Sequence, residues 1–170
     1  MIKRENVITM QGGPLTLVGP EIKVGDQAPD FTVLDAGLGP VKLSDAKGKK
    51  VIISVAPSID TSVCAAQTRK FNEQAGQIDG VEIYCISNDL PFALGRFCAA
   101  EGIDAVKTLS DHKDLSFSQQ YGFLIEELRL LARGIVVVDE NGIVSHVEYV
   151  PEVANEPDYD AALEVMKTLI

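Results

Sequence analysis

The thiol of Cys64, the hydroxyl of Thr61 and the rigid ring of Pro57 share one short stretch, Pro57-Ser58-Ile59-Asp60-Thr61-Ser62-Val63-Cys64. An apolar run from Val51 to Ala56 precedes it and predicts a buried strand. Ala65-Ala66-Gln67-Thr68-Arg69-Lys70-Phe71 follows and predicts the opening of a helix. Cys64 is thereby delivered to a first helical turn, where backbone N–H groups lack intrahelical partners and the dipole favours negative charge. That setting favours the thiolate, which is the nucleophilic form. Pro57 has no N–H and limits how the loop folds over the sulfur. Thr61 can both donate and accept, so its hydroxyl is expected beside the sulfur, holding it together with an incoming oxygen. Val63 and Ala65 are apolar neighbours that help to exclude bulk water. A cation would stabilise developing negative charge. Arg69 lies on the same helix, whereas Arg133 opens a later strand whose end can lie beside the central loop; Arg133 is the better-placed of the two.

Spacing removes several chemistries. Thr61 and Gln67 occupy the places that would complete a Cys-x-x-Cys, so dithiol exchange of that kind is disfavoured. Cys64, Cys85 and Cys98 are too widely spaced for a zinc knuckle, so a metal site is disfavoured. His112 in a polar turn and His146 in a sheet strand read as surface residues rather than partners of a Cys–His pair. Gly12-Gly13 and Gly37-Leu38-Gly39 read as turns, because neither joins a strand to a helix as a phosphate cradle must. Peroxide reduction remains. A thiolate attacks an O–O bond, becomes a sulfenic acid, and condenses with a second thiol to a disulfide. Cys85, between Tyr84 and Ile86 in a strand, reads as core. Cys98, in a helix with Ala99 and Ala100 beside it, can move as that helix shifts and is the better candidate for the second thiol. Two other readings of the same thiols stay open: a disulfide-exchange or thiol-dependent repair enzyme, and a redox sensor that changes partners on oxidation.

The elements that must position these groups can be set out in order. Val7–Met10 and Leu15–Val18 flank a Gly-rich turn and predict a hairpin within about residues 5–19. An extended segment follows, with Phe31 and Val33 directed to the core. Residues 41–44 predict a short strand with Ser44 as a possible helix cap. After the central strand, a helix is expected over about 63–77, with Phe71, Ala75 and Ile78 at helical spacing. Val81–Ser87 predicts a strand. Asn88-Asp89-Leu90-Pro91 is expected to cap a helix through about Ala100, with Pro91 near its first position and Gly102 stopping it. Val106–Ser110 is a strand, Asp114–Tyr121 a short helix, and Gly134–Val138 a strand. Asn141-Gly142 turns the chain into a partner strand over Ile143–Val150. A last helix runs from Pro157 to about Leu169. Strand–helix alternation implies a parallel core, and the late hairpin adds antiparallel strands. This is the plan of an α/β, thioredoxin-like fold, with a central mixed sheet, flanking helices and an N-terminal β-hairpin.

With 170 residues, one domain over 1–170 is expected. Hydrophobic residues make up 46% and charged residues 24%, enough apolar material for a core without staples. The net charge of −10 argues against a nucleic-acid partner and against an anionic membrane surface. No stretch approaches the roughly 20 apolar residues of a spanning helix. The start, Met1-Ile2-Lys3-Arg4-Glu5-Asn6, lacks the apolar run of a secretory signal. A cytoplasmic setting is expected, where a disulfide is usually transient and catalytic.

Pro57, Thr61 and Cys64 match the Pro-x-x-x-Thr-x-x-Cys signature of the peroxiredoxins. Ile86 to Ala93, Arg96-Phe97-Cys98, Leu131-Ala132-Arg133 and Glu156-Pro157-Asp158-Tyr159 further resemble the bacterial thiol peroxidase, or atypical two-cysteine, branch of that family. The resemblance extends over nearly the whole chain. It implies that Cys64 attacks the peroxide, that Pro57, Thr61 and Arg133 shape its pocket, and that Cys98 resolves the sulfenic acid within the same chain. It also implies hydrogen peroxide or organic hydroperoxides as substrates, reduction by thioredoxin, a homodimer, and no metal, haem or flavin. Cys85 has no role under it. Cys64 and Cys98 are expected too far apart in the reduced fold to bridge directly, so a disulfide requires local unwinding.

Overall fold

The computed structural model describes residues 1–74 and 78–168. The expected end of the first long helix over 75–77, with Ala75, lies outside the described residues, as does Leu169. Among the described residues the order is β1 (Lys3–Met10), β2 (Gly13–Val18), β3 (Thr32–Leu34), β4 (Pro40–Lys42), β5 (Lys50–Val55), α1 (Ser62–Gln74), β6 (Val81–Ser87), α2 (Pro91–Glu101), β7 (Val106–Ser110), α3 (Ser116–Tyr121), β8 (Leu124–Ile125), β9 (Gly134–Val138), β10 (Val144–Tyr149) and α4 (Tyr159–Thr168). A seven-stranded sheet has the order β10-β9-β5-β6-β7-β3-β4, and β1, β2 and β8 form a separate three-stranded sheet.

The continuous apolar run of β5 suits a strand buried on both faces. Val51, Ile52, Ile53 and Val55 are each at most 1% exposed. Burial of side chains of this size contributes roughly 1.5–3 kcal/mol apiece. β5 pairs in parallel with β6, and β6 with β7, with α1 and α2 as the crossovers. On its other side β5 pairs antiparallel with β9, Val55 opposite Gly134. The end of β5 therefore lies beside the start of β9, and this reversal is what brings Arg133 to the loop after β5.

Side-chain alternation divides the core between the two faces of the large sheet. Val51, Ile53, Val55, Tyr84 and Ile86 pack with Phe31, Phe117, Tyr121 and Phe123. Phe117 stacks on Tyr121 at 4.5 Å, and Phe123 on Tyr149 at 4.4 Å. Ile52, Ile83, Cys85, Val106, Ile135 and Val137 pack with Phe71 of α1 and Tyr159, Ala162, Leu163 and Met166 of α4. Phe31 and Val33 are buried as expected.

Differences from the sequence reading are local. The strand expected over 41–44 ends at Lys42, and Leu43–Ala46 forms a 3-10 turn. Ser44 does not cap it; Asp45 accepts the Lys42 N–H, and the Ser44 N–H donates to Asp30. The cap of α2 is Leu90, within the expected stretch Asn88–Pro91, and no side chain, of Asn88 or Asp89 included, bonds to it there. α3 begins at Ser116 rather than Asp114. The N-terminal hairpin is present with longer strands, turned at Gln11 and Gly12, whose φ values of 50° and 82° suit a tight two-residue connection.

Candidate active site

β5 ends at Val55, and the chain passes through Ala56 and buried Pro57 into the loop before α1. Thr61 caps that helix. Its carbonyl accepts the Ala65 N–H at 3.0 Å, and its hydroxyl oxygen accepts the Cys64 N–H at 3.3 Å. The same hydroxyl donates to the Ser58 carbonyl at 3.1 Å. The bond that fixes this hydroxyl next to Cys64 is thus one to the backbone, where an otherwise uncapped helical N–H takes the oxygen. Cys64 is wholly buried, at 0% exposure, one turn into α1.

Arg133 immediately precedes β9 and is itself only 2% exposed. One terminal nitrogen of its guanidinium donates to the Cys64 sulfur at 3.3 Å and to the Gln67 side-chain oxygen at 2.9 Å. Its Nε donates to the Val153 carbonyl at 2.7 Å. Gln67 is completed from the other end, its amide donating to the Ser54 hydroxyl and the Val55 carbonyl. Ser54 and Gln67 thus tie β5 to α1 beneath the sulfur. Gly134, the next residue, lets β9 lie close against β10: a Cβ there would collide with the Glu148 carbonyl oxygen and the Phe123 ring. Arg69, the other arginine considered, points away and pairs with Glu101 at 3.4 Å.

Burying a guanidinium is costly unless it is hydrogen-bonded and paired. Gln67 and Val153 supply neutral acceptors, and the Cys64 sulfur is the neighbouring group able to carry the opposite charge. The guanidinium and the positive end of the α1 dipole thus both face that sulfur. Tyr159 closes the same side, its ring edge-on to Phe71 at 5.4 Å. Burial pushes its phenol up, with Glu156 adding to the effect.

Cys98 lies elsewhere. It is half-buried on α2, and its sulfur is 3.1 Å from the Thr108 hydroxyl of β7. Cys85 on β6 is opposite Thr108 in register, and its sulfur is 3.4 Å from the Thr68 hydroxyl, which donates to the Cys64 carbonyl. All three cysteines are unpaired and on one face of the sheet, with Cys85 between the helices that carry the other two. Burial pushes the Cys85 thiol up to about 12. His112 is exposed, but His146 is half-buried with its Nε2 unpartnered among the described residues, so it is not the surface residue expected. Burial lowers its affinity for a proton.

Two polar contributors escaped the sequence reading. Gln67 entered it only as the residue that breaks a Cys-x-x-Cys. The visible signal was a polar side chain on the α1 face that also carries the buried Cys64, Thr68 and Phe71. Asp89 was read as a local cap; its carboxylate instead accepts the Ser58 hydroxyl at 2.8 Å, the Ile59 N–H at 2.6 Å and the Ser87 hydroxyl at 2.8 Å.

Comparison with known proteins adds an independent line. Residues 23–163 match the redoxin family. The thiol peroxidase of Bacillus subtilis is 59% identical over 163 residues, covering 96% of this chain and 98% of that one. That of Halalkalibacterium halodurans is 58% identical, with the same coverage. A peroxiredoxin-like protein from Aquifex aeolicus superposes with a TM-score of 0.92 at 39% identity, covering 97% of this chain and 98% of that chain.

Proposed function

The chain belongs to the redoxin family, in its thiol peroxidase branch with a thioredoxin-like peroxiredoxin fold, and as a thiol-dependent peroxidase it needs a reacting sulfur, which we propose is Cys64. The observation that carries the assignment is the Arg133 guanidinium 3.3 Å from that sulfur, both buried, at the first turn of α1.

The chemistry then runs in two steps. The Cys64 thiolate attacks one oxygen of a hydroperoxide and the O–O bond breaks. The sulfur becomes a sulfenic acid, and the departing oxygen takes a proton and leaves as water or an alcohol. Arg133 stabilises the anionic sulfur and the charge that develops on oxygen. Thr61 and Pro57 hold the loop that presents the thiol. The Cys98 thiol next attacks the sulfenic sulfur; a disulfide forms and water leaves. Because Cys64 contacts a group from β9 and Cys98 a residue of β7, with β5 and β6 between, this step includes local unwinding of α1, α2 or both. A thioredoxin-type dithiol returns two electrons and two protons, and hydrogen peroxide and organic hydroperoxides are the substrates.

The reading also includes a single domain over 1–170, a homodimer, and work in the cytoplasm, where a reducing thiol pool can regenerate the enzyme. The negative balance of the sequence supports partners other than nucleic acids or anionic membranes. No helix among the described residues is long and apolar enough to cross a membrane.

Stopped-flow oxidation by hydrogen peroxide and by a bulky organic hydroperoxide, followed by peptide mapping, tests the assignment. Cys64→Ser should abolish the reaction, and the wild-type product should contain a Cys64–Cys98 bridge. Peroxidase activity retained by Cys64→Ser would overturn it. A bridge from Cys64 to Cys85 would move the resolving role.

A further inference from the structure

Asp89 lies two residues before Pro91, the first residue of the helix that carries Cys98. Its carboxylate, however, reaches the other cysteine's loop. One oxygen accepts the Ser58 hydroxyl at 2.8 Å; the second accepts the Ile59 N–H at 2.6 Å and the Ser87 hydroxyl at 2.8 Å. Its main chain is anchored as well, the N–H donating to Ser87 and the carbonyl accepting from Ser110 at the end of β7. From Ser58 the path to the reactive thiol is short. The Ser58 carbonyl accepts both the N–H and the hydroxyl of Thr61, at 3.2 and 3.1 Å, and the Thr61 oxygen accepts the Cys64 N–H. Arg96 of α2 also meets Asp60 of the loop at 3.5 Å, but both side chains are well exposed and such a pair holds little.

We infer that Asp89 is a positioning residue: its carboxylate latches the loop from Ser58 to Thr61 in the form that seats Cys64 beside Arg133. Releasing the latch frees Cys64 to approach Cys98. The inference rests on the roles proposed above for the two cysteines. Hydrogen bonds to an ionised acceptor are the strong ones, and three of them converge on this half-buried group. No other side chain described here joins both loops so directly. The latch sets a balance. Closed, it presents a buried, activated sulfur to peroxide; open, it exposes that sulfur to the second thiol.

The test compares wild type, Asp89→Asn and Ser58→Ala by two readouts. An amide cannot accept the Ile59 N–H with its nitrogen, so Asp89→Asn loses part of the latch, and Ser58→Ala removes one bond from the other side. Cys64 is wholly buried, so its alkylation by a bulky maleimide in the reduced protein waits for opening. Alkylation should rise about tenfold in Asp89→Asn, and severalfold in Ser58→Ala. Stopped-flow oxidation by hydrogen peroxide should fall by about the same factor in Asp89→Asn, while disulfide formation after it is unchanged or faster. Formation of sulfinic acid should need more peroxide than in wild type. Alkylation at the wild-type rate in both variants would overturn the inference, as would oxidation and disulfide formation slowing together by one factor. Alkylation reports opening whatever the sulfur reacts with. If the peroxidase roles themselves fail, wild-type peroxide consumption is independent of Cys64, and the maleimide rates still decide the latch.

Discussion

The guanidinium of Arg133 reaches the Cys64 sulfur from across a strand pair, 3.3 Å away, while Gln67 on the same helix as Cys64 accepts from the same nitrogen. Charge and direction are therefore supplied separately: Arg133 brings the cation, and Gln67 and Val153 aim it. Arg133→Lys keeps the charge but loses the planar fork. Peroxide oxidation of Cys64 should fall about a hundredfold. Gln67→Leu should cost about tenfold, because the arginine remains but is no longer held. Stopped-flow rates for both variants, with melting temperatures as a control for folding, check this. Equal losses in the two would contradict the division of labour.

Thr61 acts on the backbone of Cys64, so its hydroxyl matters to helix stability as well as to the sulfur's setting. Thr61→Val keeps the shape and removes the cap, and should cost about 1 kcal/mol in denaturant unfolding. Thr61→Ser retains the oxygen and should stay near wild type. Oxidation by peroxide should follow the same order, slowest in the valine variant.

Cys98→Ser should leave the first oxidation of Cys64 intact and block recycling. One equivalent of peroxide is consumed at the wild-type rate; turnover with a thioredoxin-type reductant then stalls, and sulfinic acid on Cys64 accumulates at peroxide levels the wild type survives. Mass spectrometry of the modified peptide reads the outcome. Undiminished coupled turnover would assign the resolving role to Cys85.

Cys85 gives a pH signature. Burial raises its thiol from an ordinary 9.0 to about 12 in the folded protein. Between these values the unfolded chain releases the proton and the folded chain keeps it. The unfolded state thus binds fewer protons, and stability falls as pH rises through the window. The contribution is fully present below about pH 9 and is lost by about pH 12. Wild type should lose stability over this range more steeply than Cys85→Ala, by on the order of 1 kcal/mol per pH unit. Unfolding titrations of both proteins at alkaline pH measure the difference. Peroxide turnover at neutral pH should be close to wild type in Cys85→Ala.

What could be read beforehand divides along physical lines. β9 is an uninterrupted apolar run, β5 and β6 are predominantly apolar and β-branched, and α2 is bracketed by Pro91 and Gly102, so local pattern sufficed. β3 and β8 have three and two residues, too few for a periodicity to emerge. Arg133 ranks above Arg69 because it opens a strand, and a strand end in this fold can lie beside the central loop; the β5–β9 pairing puts it there. Gln67 and Asp89 could not be placed. Each looks locally ordinary, a helical glutamine and a pre-helix aspartate, and acquires its role only from groups brought near by the tertiary fold. The Thr61 hydroxyl shows the converse: its nearness to Cys64 follows from local spacing alone, through the otherwise uncapped N–H of Cys64 that it accepts.

The antiparallel seating of β9 against β5 carries a consequence for biosynthesis. The bond from Arg133 to Cys64 spans 69 positions of chain. A nascent polypeptide emerging past α1 has the cysteine but neither the guanidinium nor the strand that delivers it. Contacts this distant in sequence form late, after loop closure has been overcome. The contact between guanidinium and sulfur is thus completed only when β9, made long after α1, docks beside β5.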